Sequence, residues 1–163
     1  MNEYGPEPRD KIFRTVISRW QLSRLGKKIK RTLNSQLRRL TRQNHIITHN
    51  GFLWPGEQPD SIPVRKNTDT ASRSIENIPP EELARAGHLI LEAGSHMSKD
   101  DLVLEIARLY NYERMGSNIK SHIDDAVDLL VDTGCAKLDQ TTQQIEYSDV
   151  DADDRLLRHV YNN

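Results

Sequence analysis

The chain has 163 residues, a formal net charge of −1 and one cysteine, Cys135. That length predicts one domain or two very small ones, and a hydrophobic content of 36% excludes a large enzyme core. A lone cysteine excludes a disulfide framework and a cysteine-based zinc site, and it predicts a reducing, cytoplasmic location. The sequence has no apolar run of the kind that a membrane span or a signal peptide needs, so we expect no membrane partner.

The near-zero net charge is the sum of two oppositely charged parts. Residues 1–66 carry 14 Lys and Arg against 5 Asp and Glu, whereas residues 67–163 carry 9 against 19. Such a split predicts two modules with different partners. The segment 9–43 is the most basic, with 12 Lys and Arg and a single acid, Asp10.

The basic part is predicted to form two helices and a hairpin. Apolar residues recur at helical spacing over residues 9–22 and again over residues 25–43. Two short apolar runs, 45–48 and 52–54, flank an Asn-Gly pair and predict a β-hairpin. Residues 1–54 are therefore predicted to be one unit. The apolar stripe of its second helix consists of Ile29, Leu33, Leu37 and Leu40.

Residues 55–80 differ from both flanking segments, because they contain five of the seven prolines and few apolar residues. We interpret them as an extended linker. The apolar residues through which this linker could dock are Ile62, Val64, Ile75 and Ile78.

The acidic part is predicted to form three helices and a hairpin over residues 81–147. Two prolines and two acids, Pro79–Glu82, are typical of a helix start, Ser98 is a capping residue for the second helix, and Gly134 ends the third. Residues 135–138 and 144–147 are predicted to pair as a hairpin, and residues 148–163 to form a tail that is acidic and then weakly helical.

The two parts resemble each other at an offset of 90 residues, without gaps. Each copy has a helix, a second helix with an apolar stripe, and a hairpin, which is the order of a winged helix. We therefore predict a mostly helical fold with short β-hairpins, built from two winged-helix-like units, of which the first lacks its opening helix. The matching pairs include Arg24 with Arg114, Gly26 with Gly116, Ile29 with Ile119, Lys30 with Lys120, Leu33 with Ile123, Leu37 with Val127 and Leu40 with Leu130.

Residues 45–138 carry four short motifs: Gly51-Phe52-Leu53-Trp54-Pro55, Pro63-Val64-Arg65, Ile78-Pro79-Pro80-Glu81-Glu82 and Tyr112-x-Arg114-x-Gly116. With these motifs the chain resembles the small C-terminal domain of unknown function found in large microbial superfamily 1 helicase-like proteins. Those proteins often also carry an endonuclease domain like that of very-short-patch repair. The resemblance implies a DNA-processing or phage-defence context, with a helicase or nuclease as parent chain or partner. It implies no catalytic residues.

The residue patterns of common enzymes are missing from the sequence. Gly26-Lys27 lacks the rest of a phosphate-binding loop, and no lysine follows an acid by two residues, as a metal-dependent nuclease requires. The acids at 149, 151 and 153 lack the glycine and glutamate of a calcium loop, and His45 and His49 lie in the predicted hairpin, where their spacing does not place them on one face. We expect no enzyme activity, no cofactor and no metal site.

The second predicted helix, residues 25–43, is the segment that most clearly indicates a function. On a helical wheel its cations lie opposite the apolar stripe with no acid among them, and only Lys30 lies at the margin. A helix of this kind in a winged helix enters the major groove of DNA, so we predict a non-catalytic nucleic-acid-binding module, with duplex DNA as the expected ligand. The predicted contacts are Arg24, Lys27, Lys28, Lys30, Arg31, Arg38, Arg39, Arg42 and His49.

Two other interpretations of the cationic face remain open. It could contact an acidic surface of a partner, which would make the chain a protein-interaction or scaffold domain that positions catalytic domains, or it could simply be solvated. The matching face of the second unit would repel phosphate, which predicts packing or protein contact there. Its acids are Asp124, Asp125, Asp128 and Asp132.

Overall fold

The computed structural model describes residues 5–68, 71–94 and 96–162. Within these ranges the chain is mostly helical with two small antiparallel sheets, which confirms the predicted class of a helical protein with short hairpins. The chain forms two compact units, Met1–Pro59 and Asp60–Asn163.

The first unit contains two helices and one three-stranded sheet in its described residues 5–59. Strand β3 lies between β1 and β2 and is antiparallel to both. Asn50 and Gly51 join β2 to β3 with φ angles of 49° and 82°, and such positive angles are why Asn-Gly pairs favour tight hairpins. The elements are β1 (Glu7–Pro8), α1 (Arg9–Arg19), α2 (Lys27–Arg42), β2 (Ile46–His49) and β3 (Phe52–Pro55).

The core of the first unit lies between its two helices. Phe13 and Ile17 of α1 bury their side chains with Leu33 of α2, and partly buried apolar residues pack around them. The predicted stripe is wrong at one position, because Leu40 is 36% exposed. Helix α1 also ends three residues earlier than predicted, since Gln21 adopts a φ of 58°, which ends a right-handed helix.

The second unit begins with a helix, α3, which is followed, as in the first unit, by a strand, two helices and two strands. Its sheet has β6 between β4 and β5, again with antiparallel pairing. Ser98 caps α4 as predicted by accepting a hydrogen bond from the amide of Asp101. The elements are α3 (Pro80–Gly94), β4 (His96–Ser98), α4 (Lys99–Leu109), α5 (Ser117–Asp132), β5 (Ala136–Leu138), β6 (Gln144–Tyr147) and α6 (Ala152–Tyr161).

The predicted linker, residues 55–80, does not remain a separate segment, because the chain divides at residue 59 and the rest of the segment joins the second unit. Ile62, Ile75 and Ile78 are buried, and Ile75–Asn77 forms a 3₁₀ turn. Within the segment, two arginines pair with the completely buried carboxylate of Glu82, with N–O distances of 2.7 Å to each. These ion pairs compensate the desolvated charge of Glu82 and attach the segment to α3. The two arginines are Arg65 and Arg73.

The weakly helical part of the predicted acidic tail forms helix α6. Leu156, Leu157 and Val160 are buried on one face of this helix, and Asp151 caps its first turn by accepting from the amide of Asp154. The acids of residues 149–154 therefore lie before and within the first turn, where carboxylates stabilise a helix, and the apolar face after them packs into the unit.

The two helices that each unit shares with the other begin and end 90 residues apart. This holds for both ends of α1 and α4 and for both ends of α2 and α5. The turn geometry also recurs, since Gln21 and Asn111 have φ angles of 58° and 56°. Helix α3, however, has no counterpart among the described residues of the first unit.

The corresponding residues Leu40 and Leu130 test how the presence of α3 in one unit affects stability. Leu130 is completely buried, so Leu130→Ala is expected to lower the free energy of unfolding of the second unit by about 2–5 kcal/mol. Leu40 is exposed, so Leu40→Ala should lower that of the first unit by less than about 1 kcal/mol. Urea unfolding can separate the units. Both tryptophans lie in the first unit, so their fluorescence reports on its unfolding. Cys135 is buried in the second unit, and burial raises the pKa of its thiol, so its reaction with a thiol reagent reports on the unfolding of that unit. Equal losses in the two variants would contradict this account.

Candidate nucleic-acid interface

Helix α2 presents its cations to solvent because its apolar residues are turned toward α1. Leu33 is buried against α1, while Ile29 and Leu37 are half-buried beside it. The sequence from residue 11 to residue 56 contains no Asp or Glu. The predicted contacts that are exposed in the structure are Arg24, in the turn before the helix, and Lys27, Lys28, Lys30, Arg31, Arg38, Arg39 and Arg42 on it.

None of the seven cations of α2 forms an ion pair within the part of the chain that the structure describes. The one hydrogen bond of this group runs within the helix, where Arg42 donates from Nε to the carbonyl of Arg38 at 3.3 Å. Like charges spaced one turn apart on a helix repel each other. The helix therefore keeps a concentrated positive charge that nothing described in the unit neutralises.

Beside this face lies a groove of about 880 Å³, formed by α2, the start of α1 and strand β2. Its charged groups are all guanidinium groups, and its other polar groups are hydroxyls and one amide. Guanidinium groups bind phosphate with two parallel hydrogen bonds, and hydroxyls and amides add single ones. The lining residues are Arg9, Arg31, Asn34, Leu37, Arg38, Thr41, Arg42 and Thr48.

Arg9 is the one arginine of the groove that was not predicted. It begins α1, and its backbone amide donates to the carbonyl of Gly51 at 3.2 Å, which places the start of the helix beside the hairpin. Its guanidinium lies 3.7 Å from Asp10, and both side chains are about half exposed, so this pair neutralises little charge. The sequence signal was available, because Arg9 opens the most basic segment, but its approach to α2 depends on tertiary packing.

His49 lies at the end of β2 rather than in the groove, and it is half-buried. Asn50 Nδ2 and His49 Nε2 are 3.0 Å apart, within hydrogen-bond distance. Burial lowers the pKa of His49, so the imidazole is mostly neutral at pH 7. The predicted contact of His49 with nucleic acid would therefore be a hydrogen bond from a neutral imidazole.

The matching position in the second unit carries the opposite arrangement. Arg9 and Arg38 correspond, at the offset of 90 residues, to Lys99 and Asp128, which form an ion pair. Lys120, which corresponds to Lys30, lies near two carboxylates at 3.2 and 3.4 Å. The same helical framework thus carries lysines paired with acids in the second unit and, among the described residues, unpaired α2 cations in the first.

Comparison of the chain with protein families, with curated proteins and with solved structures finds no match. The interpretation of this surface therefore depends on its own geometry and charge. Among the described helices, none combines the length and the apolar character needed to cross a bilayer.

The repulsion along α2 predicts that salt stabilises the first unit. Raising the ionic strength from about 0.01 M to about 0.15 M shortens the Debye length from about 30 Å to about 8 Å, so the urea midpoint followed by tryptophan fluorescence should rise. Arg38→Asp places an acid beside Arg9, as Asp128 lies beside Lys99, and should raise the midpoint at low salt. A lower midpoint in Arg38→Asp, with unchanged helical content, would contradict this electrostatic account.

Proposed function

We propose that this chain is a non-catalytic nucleic-acid-binding module and that α2 of its first unit binds duplex DNA. The observation that carries the proposal is the exposed face of α2, which has seven cations, no acid and no ion pair in the described residues, next to a groove lined by four arginines. A concentrated unneutralised charge of this kind favours a polyanion as ligand.

The proposed fold of both units is the winged helix. This assignment is supported by the order strand, helix, helix, strand, strand, with the last strand in the centre of the sheet. In helix-turn-helix proteins the second helix lies in the major groove, which is about 12 Å wide and admits an α-helix. In the first unit that helix is α2, and the hairpin β2–β3 would approach the sugar-phosphate backbone.

Most of the binding free energy in this proposal comes from phosphate contacts. Arg9, Arg31, Arg38 and Arg42 surround the groove and would each bind phosphate oxygens, while the lysines of α2 add positive charge along the helix. Arginines that reach the base edges would favour guanine, because a guanidinium donates two hydrogen bonds to O6 and N7. Phosphate contacts set the affinity and position, and any base contacts add sequence preference.

The second unit has a different role in this proposal, since the acids of α5 repel phosphate and the two lysines beside them, Lys99 and Lys120, are already paired. Its expected contribution is packing or protein contact. The proposed setting, an accessory module of a helicase or nuclease system in DNA processing or defence, rests on the family resemblance of residues 45–138 alone. A helicase or nuclease reading frame beside the gene would support that setting.

Charge removal on α2 tests the DNA-binding proposal. A variant with alanine at five α2 cations should bind a labelled duplex at least about a hundredfold more weakly in fluorescence anisotropy, because each phosphate contact contributes counterion release. These side chains lie off the buried stripe, so the far-UV circular dichroism should not change. The substituted residues are Lys27, Lys28, Arg31, Arg38 and Arg39.

A control variant of equal charge change separates a local interface from net charge. It has alanine at five exposed cations of the second unit and is expected to bind DNA within about threefold of the wild type, the range of weak long-range effects at moderate salt. Equal weakening in both variants would contradict an interface on α2. Wild-type protein that binds neither duplex nor single strand at low salt would overturn the proposal. The control positions are Lys66, Arg108, Arg114, Lys137 and Arg158.

A further inference from the structure

The first unit exposes an apolar surface next to its core. Trp20, at the end of α1, is 56% exposed, Leu22 is 41% exposed and Leu40 of α2 is 36% exposed. Val16 lies beside them and is half-buried. Val16 and Leu40 correspond to Ile106 and Leu130, which both lie next to Gly87 of α3, so the shared framework places the first two on one surface. An exposed apolar patch of this kind is typical of an interaction surface.

In the second unit the corresponding surface is covered by helix α3. Tyr110 and Leu130, which correspond to Trp20 and Leu40, are completely buried. Helix α3 lies over them: a Cβ placed on Gly87 would be 3.1 Å from Ile106 Cδ1 and 3.4 Å from Leu130 Cδ2, so the two backbones approach closely there. The hydroxyl of Tyr110 also lies 3.4 Å from a carboxylate oxygen of Glu82 on α3.

The segment just before α3 also contacts α5, through an acidic side chain. Glu76, four residues before the start of α3, accepts a hydrogen bond from the side chain of Asn118. Asn118 corresponds to Lys28 in the first unit, and Arg39, also exposed, adjoins Leu40 on α2. The first unit therefore has a lysine, Lys28, at the position where the second unit has the asparagine that binds Glu76.

We propose that this open face of the first unit, formed by Val16, Trp20, Leu22 and Leu40, binds an acidic amphipathic helix of a separate protein, seated as α3 is seated in the second unit. The apolar side of that helix covers Trp20 and Leu40, a small residue faces them at the point of closest approach, and an acid before its first turn pairs with Lys28. The apolar residues of this face are not among the predicted DNA contacts, whereas Lys28 belongs to both proposed surfaces.

A peptide with the sequence of residues 75–94 is the probe, since it contains Glu76 and the whole of α3. Added to the full-length chain, it should bind saturably below about 1 mM and shift tryptophan emission to the blue, because Trp20 becomes buried while Trp54, 1% exposed, already is. Replacing Glu76 by lysine in the peptide should weaken binding about threefold or more, since the partner cation is then repelled.

Leu40→Asp in the full-length chain should weaken peptide binding at least about tenfold by placing a charge in the apolar contact. Leu104→Asp is the matched control, because Leu104 is 41% exposed on the second unit, and it should leave binding unchanged. If Leu40→Asp loses its circular dichroism signal, Trp20→Ser with a labelled peptide and anisotropy replaces it.

Three results would overturn the proposal. The first is the absence of saturable binding by the peptide, and the second is binding that Leu40→Asp does not weaken. The third is a wild-type dimer that Leu40→Asp converts to a monomer in sedimentation, which would mean that a second copy of the chain covers the face. DNA affinity within about threefold of wild type in Leu40→Asp would show that the two surfaces act separately.

Discussion

The burial of one face of α2 against α1 determines what the first unit presents to solvent. Leu33 packs with Phe13 and Ile17, and this contact fixes the rotation of α2 about its own axis. Once that rotation is set, the seven cations of the helix point outward, and no acid between residues 11 and 56 can neutralise them. The packing thus holds like charges together against their mutual repulsion, an arrangement that costs stability and that a bound polyanion would offset.

In the second unit the corresponding helices carry lysines that are paired with acids, and their apolar residues are covered by α3. Lys99 and Asp128 pair at the position where the first unit has two arginines, and α3 closes over Leu130. The segment before α3 is held by ion pairs to the buried carboxylate of Glu82, which in turn lies near the hydroxyl of Tyr110. The two units share their strand order and the turn between their paired helices. They differ in side-chain charge, in the length of the hairpin loop and in helices α3 and α6, which only the second unit has among the described residues.

Sequence periodicity predicted the long helices and both hairpins, because an amphipathic stripe and an Asn-Gly turn are local signals. It missed strands β1 and β4, which are two and three residues long and depend on pairing with a distant strand. It predicted docking positions in residues 60–78 and a weakly helical tail, but not how fully both segments are buried, because the burial of a few isolated apolar residues is a tertiary property. At the candidate site the cations of α2 were predictable from charge and spacing, whereas Arg9 and the exposure of Leu40 depend on which elements meet in space.

The salt dependence of DNA binding by the wild-type chain tests the central claim most directly. If α2 neutralises about six phosphates, the logarithm of the binding constant should fall against the logarithm of the salt concentration with a slope of roughly −5 for duplex DNA. The slope can be measured by anisotropy titrations of one labelled duplex at several NaCl concentrations. A slope near −5 agrees with an interface made by the cationic face of α2, and a slope near zero would contradict it.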